Sequence, residues 1–172
     1  MFDVLSRMVR TGILTEPTSA SLESSKAPEE LQAELLRLVG RALSIRHVDA
    51  GSCNGCELEI QALNNPYYNL EGVGIKFVAS PRHADMLLVT GPVSVNMEEA
   101  LKRTYDAVPE PKFVIAVGDC GACGGIFGQN YASRGAVANV IPVHFTVKGC
   151  PPSPADIMGA IVESVRSANV QR

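Results

Sequence analysis

The segment from Asp49 to Leu63 reads DAGSCNGCELEIQAL and places Cys53 and Cys56 in a Cys-x-x-Cys pair. The run just before it, Ile45–Val48, is typical of a short buried strand, and the residues after it, Cys56–Asn64, have helical spacing of apolar side chains. A strand that passes through a short loop into a helix is the unit from which parallel α/β sheets are built. The cysteine pair is therefore predicted to lie at the carboxyl end of a strand.

Further short apolar runs follow along the chain and alternate with helical patterns. They are rich in β-branched residues and end at Gly or Pro, as buried parallel strands do. We predict strands at Ile45–Val48, Ile75–Ala79, Met86–Thr90, Phe113–Val117 and Val143–Val147. We predict helices at Cys56–Asn64, Met97–Asp106, a short stretch after Gly125, and Pro154–Arg166. This alternation predicts an α/β fold with a doubly wound parallel sheet and helices on both faces.

The amino-terminal part of the chain differs in composition from the rest. Apolar residues at helical spacing predict an amphipathic helix from Leu31 to Leu43. Residues 15–30 are rich in Ser, Pro, Glu and Ala, so they are predicted to form a flexible linker. Residues 1–14 carry apolar side chains near one helical face, which suits docking on a partner or a membrane, although local packing of a terminus explains the pattern equally well. The expected organisation is a docking segment (1–14), a linker (15–30) and one domain (31–172).

Composition and charge narrow the class of protein. The chain has 172 residues, of which 46% are hydrophobic and 19% charged, as expected of one globular domain. A net charge of −3 without a Lys/Arg cluster argues against nucleic-acid binding. No stretch approaches the roughly 18 apolar residues of a membrane helix, and no export signal is evident, so we expect a cytoplasmic chain. Because cytoplasmic thiols stay reduced, the five cysteines are expected to be metal ligands plus one spare.

The cysteines follow three of the predicted strands. Cys53 and Cys56 come after the first strand, Cys120 after the fourth in AVGDCGACGG, and Cys150 after the fifth in VKGCPPSP. Ligands of open parallel sheets bind at the carboxyl ends of the strands, so these thiols are expected to converge on one four-sulfur site. The glycines that would let the backbone approach a bulky group there are Gly51, Gly55, Gly118, Gly121, Gly124, Gly125 and Gly149.

Three kinds of cysteine site remain open on the residues alone. An iron–sulfur cluster and a zinc ion both accept four thiolates. Zinc would suit two local pairs, the second being Cys120 with Cys123, and would leave Cys150 spare. The rigid GCPP turn presents the Cys150 side chain, which favours an iron–sulfur cluster. A thioredoxin-like dithiol fits least, because its motif needs no distant cysteines.

Four motifs, in the order GSCNGCELE, LLVTGPV, GDCGACGG and GCPPSP, resemble those of the small subunit of [NiFe] hydrogenases and of its relative, the twenty-kilodalton iron–sulfur subunit of respiratory complex I. The resemblance runs from about Ile45 to Met158 and implies a flavodoxin-like domain that carries one proximal [4Fe–4S] cluster. The ligands that it implies are Cys53, Cys56, Cys120 and Cys150. Cys123 falls on a variable position, where we expect a small buried side chain.

The same motifs imply which other residues surround the cluster. They are Gly51, Ser52, Gly55, Glu59, Gly91, Pro92, Gly118, Gly149 and Pro151. Glu59 matches an acidic position of the family, where a carboxylate could relay protons or meet the large subunit. Glu57 is expected to be a solvated acid at a helix start. His47, His83 and His144 are expected to be structural imidazoles rather than ligands.

The spacing of the first motif separates the two branches of the family. Cys-x-Gly-Cys is the hydrogenase form, whereas complex I subunits carry adjacent cysteines. From the sequence we expect neither an export signal nor a further cluster domain, a combination that resembles the membrane-bound, energy-converting group that includes formate hydrogenlyase and hydrogenase-4. The resemblance therefore implies an electron-transfer subunit with no catalytic residue of its own, at the cytoplasmic face of the membrane. The alternatives are a complex I-type quinone-reductase subunit and a structural zinc-binding module.

The partners implied by this resemblance are the other subunits of such a complex. They are a [NiFe] large subunit related to the 49-kilodalton subunit of complex I, a ferredoxin-like iron–sulfur subunit, and integral membrane subunits of the antiporter type. The overall chemistry would be hydrogen evolution or oxidation.

Overall fold

A sheet of five parallel strands forms the centre of the fold. The computed structural model describes residues 33, 36, 37 and 40–170. The strands are β1 (Leu43–Asp49), β2 (Ile75–Phe77), β3 (Met86–Thr90), β4 (Phe113–Val117) and β5 (Phe145–Val147). The helices are α1 (Gly55–Ala62), α2 (Val95–Ala107), α3 (Gly118–Cys123) and α4 (Pro154–Val170), with short 3₁₀ helices at Glu71–Val73, Pro81–His83 and Val137–Asn139.

The strand order is β2-β1-β3-β4-β5, the order of flavodoxin-like sheets. The connections run to opposite sides of β1, so the sheet has its switch point between β1 and β3. The register pairs Asp49 with Thr90, Thr90 with Val117, and Val117 with Val147. The last residues of four strands therefore stand in one row, and the loops that follow them open onto the same edge. The predicted α/β fold is confirmed.

Helices cover both faces of the sheet, as expected. On one face, Ile60 of α1 and Ile157 of α4 pack against alternate residues of the strands, including Ile45 and Leu88. On the other face, Leu101 of α2 and Val137 pack against the intervening strand residues. All five residues of β3 are buried, because this central strand is covered on both sides. Within the described part of the chain, no helix combines the length and apolar character needed to cross a bilayer.

One predicted helix near the cysteines is wrong in position, and two predicted strands are shorter than expected. The short helix expected after Gly125 instead precedes it as α3, and it ends because Gly124 adopts the left-handed conformation (φ 89°). Residues 125–136 form turns and isolated bridges. Strands β2 and β5 are shorter than predicted, at Ile75–Phe77 and Phe145–Val147.

The helix predicted from Leu31 to Leu43 extends too far. Ala33, Leu36 and Arg37 are helical, but the chain turns at Gly40 (φ 73°), whose N–H donates to the Leu36 carbonyl at 2.8 Å. Leu43 is already the first residue of β1. The other positions of this helix, the predicted docking segment (1–14) and the predicted linker (15–30) lie outside the described residues.

Candidate metal centre

The structure brings four of the five cysteines to the carboxyl edge of the sheet. Cys53 lies in the loop after β1, and Cys56 lies in the first turn of α1. Cys120 lies in α3, directly after β4, and Cys150 lies in the turn between β5 and α4. Cys56 is buried and Cys120 half-buried, whereas Cys53 and Cys150 are exposed. The thiols thus line a crevice that is open on one side, and none of them is in a disulfide.

The electrostatics of the thiols shows that they share one environment. The pKa of the Cys56 thiol is raised to about 12, first by burial, then by the Glu57 carboxylate, and then by the sulfurs of Cys120, Cys53 and Cys150. The pKa of Cys120 is raised by burial, by Cys150 and Cys53, and then by Asp119 and Cys123. A negative charge on one of these sulfurs therefore makes it harder to deprotonate the others. Several thiolates at this site need a cation that neutralises their negative charge.

Glycine at position 118 makes room for the Cys56 sulfur. Gly118 has a φ of 82°, and a Cβ added to it would lie 2.6 Å from Cys56 Sγ. A Cβ added to Gly125 would likewise lie 2.8 Å from Cys120 Sγ. Any larger residue would occupy the space beside these sulfurs, so the backbone forms a cradle on the inner side of the crevice.

The loop between β1 and α1 is held in place by its own polar groups. Asp49 Oδ1 accepts hydrogen bonds from the N–H groups of Gly51 and Ser52, both at 2.8 Å. The backbone of Ser52 lies against Gly91 of the loop after β3, since a Cβ on Gly91 would meet Ser52 N at 2.5 Å. The loops after β1 and β3 therefore meet at the switch point, beside Cys53. The residues that meet there are Gly51, Ser52, Gly91 and the buried Pro92.

A pair of hydrogen bonds joins the loops that carry Cys120 and Cys150. Asp119 N donates to the Gly149 carbonyl at 2.9 Å, and Gly149 N donates to Asp119 Oδ1 at 2.8 Å. Pro151, which follows Cys150, lies beside Gly55, because a Cβ on Gly55 would lie 3.9 Å from Pro151 Cβ and 3.6 Å from Cys53 Sγ. Asp119 was not among the predicted site residues, although its position beside Cys120 in GDC is a usable signal.

Cys123 differs from the other four cysteines. Its Sγ lies 3.2 Å from the carbonyl oxygen of Asp119, to which the thiol donates, and its side chain is exposed. The expectation that Cys123 is a small buried side chain is therefore wrong. Among the groups that raise the pKa of Cys120, Cys123 is the weakest.

Glu57 is buried, and the expectation that it is solvated is wrong. The residue is 6% exposed, and neither carboxylate oxygen has a hydrogen-bond partner among the described residues. Its Oε1 lies 3.8 Å from Nε2 of His47. Glu57 precedes the buried Ile60 by three positions, so it shares the helical face of α1 that packs on the sheet. Glu59, for which a role was expected, is half-buried.

The three histidines have different surroundings. His47 Nε2 lies 3.1 Å from Thr90 Oγ1 at the switch point. His144 Nδ1 accepts a hydrogen bond from Val114 N at 3.0 Å and so belongs to the contact between β4 and β5, away from the cysteines. His83 is exposed in a 3₁₀ turn. Of the three, His47 is the one that lies near the candidate site.

The donor set fits a sulfur-ligated metal group. Free thiols are the ligands of iron–sulfur clusters and of structural zinc, and the glycine cradle leaves space beside two of them. Among residues 33, 36, 37 and 40–170, no three His, Cys, Asp or Glu side chains are already placed to hold a single metal ion.

Sequence comparisons place the chain among known oxidoreductase subunits. The probable membrane-bound hydrogenase subunit mbhJ of Pyrococcus furiosus is 44% identical over 137 residues, or 80% of this chain and 82% of that protein. Formate hydrogenlyase subunit 7 of Escherichia coli is 42% identical over 81% of this chain and 54% of its own length. The NADH-quinone oxidoreductase of Desulfovibrio desulfuricans has a subunit that is 42% identical over 72% of this chain and 66% of its own length.

Solved structures share the fold. The structure of the membrane-bound sulfane sulfur reductase, an archaeal respiratory membrane complex, contains a chain that matches with a TM-score of 0.61 and 30% identity, covering 84% of this chain and 75% of that chain. An NAD+-reducing [NiFe]-hydrogenase matches with a TM-score of 0.57 at 17% identity, covering 74% of this chain and 93% of that chain, which shows a common fold alone.

The family model that matches this chain covers residues 53–164, a range that contains all five cysteines, and its description is "NADH ubiquinone oxidoreductase, 20 Kd subunit". Both the family description and the names of these relatives are those of oxidoreductase subunits. The chain belongs to this family and is an oxidoreductase subunit.

Proposed function

We propose that this chain is the electron-transfer small subunit of a membrane-bound [NiFe] hydrogenase, and that it holds one [4Fe–4S] cluster. The observation that carries the proposal is the gathering of Cys53, Cys56, Cys120 and Cys150 at the carboxyl edge of the sheet. Such a cluster needs four thiolates from one site, and it supplies reversible one-electron transfer when bound.

Different residues of the chain would bind the cluster, leave space for it and fix the loops around it. The four cysteines would be the ligands, and Gly118 and Gly125 leave the space beside two of them. Asp119 fixes the distance between the Cys120 and Cys150 loops through its two hydrogen bonds to Gly149. Burial of the site and hydrogen bonds from the surrounding protein would set the reduction potential of the cluster.

A hydrogenase is favoured over a complex I-type quinone reductase by two observations. The Cys-x-Gly-Cys spacing of Cys53 and Cys56 is the form found in hydrogenases. One relative, which is 44% identical in an alignment that covers 82% of its length, is a probable membrane-bound hydrogenase subunit. The complex I-type subunit remains the second candidate. The matching family is described by the name of that subunit, and relatives of that type reach 45% identity over 62% of this chain.

The partners follow from the same proposal. A cluster at this edge is shielded on one side by the sheet and by α1, but the exposed Cys53 and Cys150 leave its other side open. A large subunit with the nickel–iron centre would cover this side, and a ferredoxin-like subunit and antiporter-type membrane subunits would complete a complex at the cytoplasmic face of the membrane. Residues 1–14 are proposed to dock on that membrane part.

The proposal is tested on the complex purified anaerobically through a tag on this chain. Iron, zinc and acid-labile sulfide are measured, together with the EPR spectrum of the dithionite-reduced complex and hydrogen evolution from reduced viologen. Cys150→Ser is compared with Cys123→Ser, because both side chains are exposed thiols and only Cys150 is a proposed ligand. We expect Cys150→Ser to lose or convert one cluster, with up to about four iron atoms per complex, and Cys123→Ser to match the unaltered complex.

Each contrary result points to a definite alternative. Zinc in place of iron, lost in Cys123→Ser and retained in Cys150→Ser, would establish the two-pair zinc site. An intact cluster without hydrogen evolution, in a complex that reduces quinone, would establish the complex I-type function instead.

A further inference from the structure

Cys120 and Cys150 follow two neighbouring strands at equivalent positions. Strands β4 and β5 pair residues that are 30 positions apart. The same offset separates Asp119 from Gly149, which exchange two hydrogen bonds just beyond the strands, at 2.9 and 2.8 Å. Cys120 and Cys150 are the next residues of the two loops, so they continue the register at a point where the two segments are still held together.

This register brings the two cysteines to a spacing that a disulfide can bridge. Neighbouring strands lie about 4.7–4.9 Å apart, and the Cα atoms of a disulfide lie roughly 4.4–6.8 Å apart. The backbone spacing of the hydrogen-bonded residues just before the cysteines is therefore already the spacing that a disulfide needs. After burial, the sulfur of Cys150 is the largest influence that raises the pKa of Cys120, as expected of two neighbouring sulfurs.

The other cysteines are less suited to bond with Cys120. Cys56 is buried on the inner side of the crevice, where an oxidant in solution does not reach it. The thiol of Cys123 donates to the carbonyl oxygen of Asp119 at 3.2 Å, and its influence on Cys120 is the weakest of those that raise that pKa. Cys53 follows β1, which is separated from β4 by β3 in the sheet. Cys150 is therefore the preferred partner.

The exposure of the two thiols sets the order in which they react. Cys150 is exposed and Cys120 is half-buried, so a low-molecular-weight disulfide such as oxidised glutathione reaches Cys150 first. The Cys150 thiolate breaks the S–S bond of the reagent, forms a mixed disulfide and releases one glutathione. Cys120 then attacks the Cys150 sulfur and releases the second glutathione. The two cysteines together lose two electrons and two protons, which the reagent gains as two thiols.

We propose that Cys120 and Cys150 form a reversible disulfide in the metal-free chain, which withholds two ligands from the metal centre until a thiol reductant releases them. The role of this bond as a lock rests on the proposed function, because it requires both cysteines to be cluster ligands. The bond protects the exposed Cys150 from irreversible oxidation to the sulfinic acid. Disulfides in reducing compartments are usually of this transient, redox-sensing kind.

The disulfide also has a consequence for stability. It crosslinks the start of α3 to the turn before α4 and closes the segment between them, which contains residues 125–136 and β5. A crosslink of this kind restricts the unfolded chain more than the folded one, where the two loops already touch. We therefore expect the oxidised metal-free chain to unfold at a higher temperature than the reduced metal-free chain.

The experiment treats the metal-free full chain with oxidised glutathione and maps the disulfides by mass spectrometry. The chain is purified with a chelator and a reductant, freed of both, oxidised, alkylated and digested with trypsin. Arg134 and Lys148 place cleavage sites between the two cysteines, so a disulfide between them joins two peptides. We expect joined peptides in the unaltered chain and in Cys123→Ser, the matched control, and none in Cys150→Ser. The melting temperature should rise by several degrees on oxidation, except in Cys150→Ser.

Cobalt(II) tests whether the ligands are withheld, because it absorbs light when bound by thiolates and does not reduce a disulfide. We expect the cobalt–thiolate absorption of the reduced chain to fall several-fold on oxidation and to return after reduction. A disulfide between other cysteines, mixed disulfides with glutathione alone, or undiminished cobalt binding by the oxidised chain overturns the inference. Zinc without iron in the anaerobically purified complex overturns the proposed function instead, and the disulfide map is read independently of that result.

Discussion

Gly118 stands where a side chain would collide with the sulfur of Cys56, since an added Cβ would lie 2.6 Å from Cys56 Sγ. Gly118 is also the first residue of α3 and adopts a φ of 82°, which other L-residues rarely do. The same residue thus ends β4, begins the helix that carries Cys120, and leaves the space beside Cys56. A single substitution there tests whether the crevice needs that space.

Gly118→Ala is expected to lower both stability and metal content. The left-handed backbone costs roughly 1–2 kcal/mol for a residue with a Cβ, and the contact with Cys56 Sγ adds to it. Gly159→Ala is the control, because Gly159 lies in α4, is exposed, and has open space around it; this change is expected to stabilise the protein by about 0.5–1 kcal/mol. Thermal unfolding and iron content of both variants are measured. If Gly118→Ala and Gly159→Ala had equal iron contents, the space beside the Cys56 sulfur would not be needed for metal binding.

The fold was predictable because its signals are local. Each buried strand is a short run of apolar, largely β-branched residues, and β3 and β4 lie at the predicted Met86–Thr90 and Phe113–Val117. The helix α3 was misplaced because Gly-Asp-Cys-Gly is a weak helix sequence. Its six residues are stabilised by packing against β3, β4 and β5, which is not visible in the sequence.

The candidate site was predictable only in part. The positions of the cysteines directly after predicted parallel strands sufficed to predict that four thiols lie at one edge of the sheet. The burial of Glu57 was missed because an acid in a first helical turn is usually solvated, and its burial depends on how α1 lies across β1 and β3. The exposure of Cys123 was missed for the same kind of reason, since it depends on the course of the loop after α3.

Asp119 offers a test of how the two distant cysteine loops are held together. Its carboxylate accepts from Gly149 N at 2.8 Å, so Asp119→Ala leaves that N–H without its partner, at a cost of about 1–3 kcal/mol. Asp119→Asn retains an oxygen acceptor and should cost less. We expect iron retention after dialysis against a chelator to fall in the order unaltered, Asn, Ala. If the Ala variant keeps iron as well as the unaltered protein does, the contact with Gly149 is not needed to hold the site.

Alkylation of the metal-free protein should distinguish the thiols. The thiolate is the reactive form, so a raised pKa and burial both slow the reaction. Cys56, whose pKa is raised to about 12 and which is buried, should react last, and Cys120 should also be slow because its pKa is raised. The exposed Cys123, Cys53 and Cys150 should react first. Iodoacetamide labelling at mildly alkaline pH with peptide mass spectrometry gives the order. Early labelling of Cys56 would mean that the crevice opens in the metal-free protein.

The loop after α3 is expected to contact the proposed large subunit. Ile126 is 94% exposed and Tyr131 is 97% exposed, beside Phe127 at 53%. The loop is nevertheless well held, because Asn130 Oδ1 accepts from Ala132 N at 2.8 Å and Arg134 pairs with Glu98 at 2.6 Å. Large apolar side chains exposed on one loop are typical of a contact surface, and Gly125 of the same loop lies against Cys120.

Replacing Ile126 and Tyr131 together by Ser is therefore expected to weaken the association of this chain with the large subunit without changing its fold. Tyr67→Ser is the matched control, because Tyr67 is 82% exposed but lies between α1 and β2, at the opposite edge of the sheet. The amount of large subunit that purifies with the tagged chain is compared at equal levels of this chain, and circular dichroism checks the fold. We expect a several-fold loss for the double variant and none for the control, since apolar burial contributes about 25 cal/mol per Å². Undiminished recovery of the large subunit with the double variant would place the contact elsewhere on the cysteine edge.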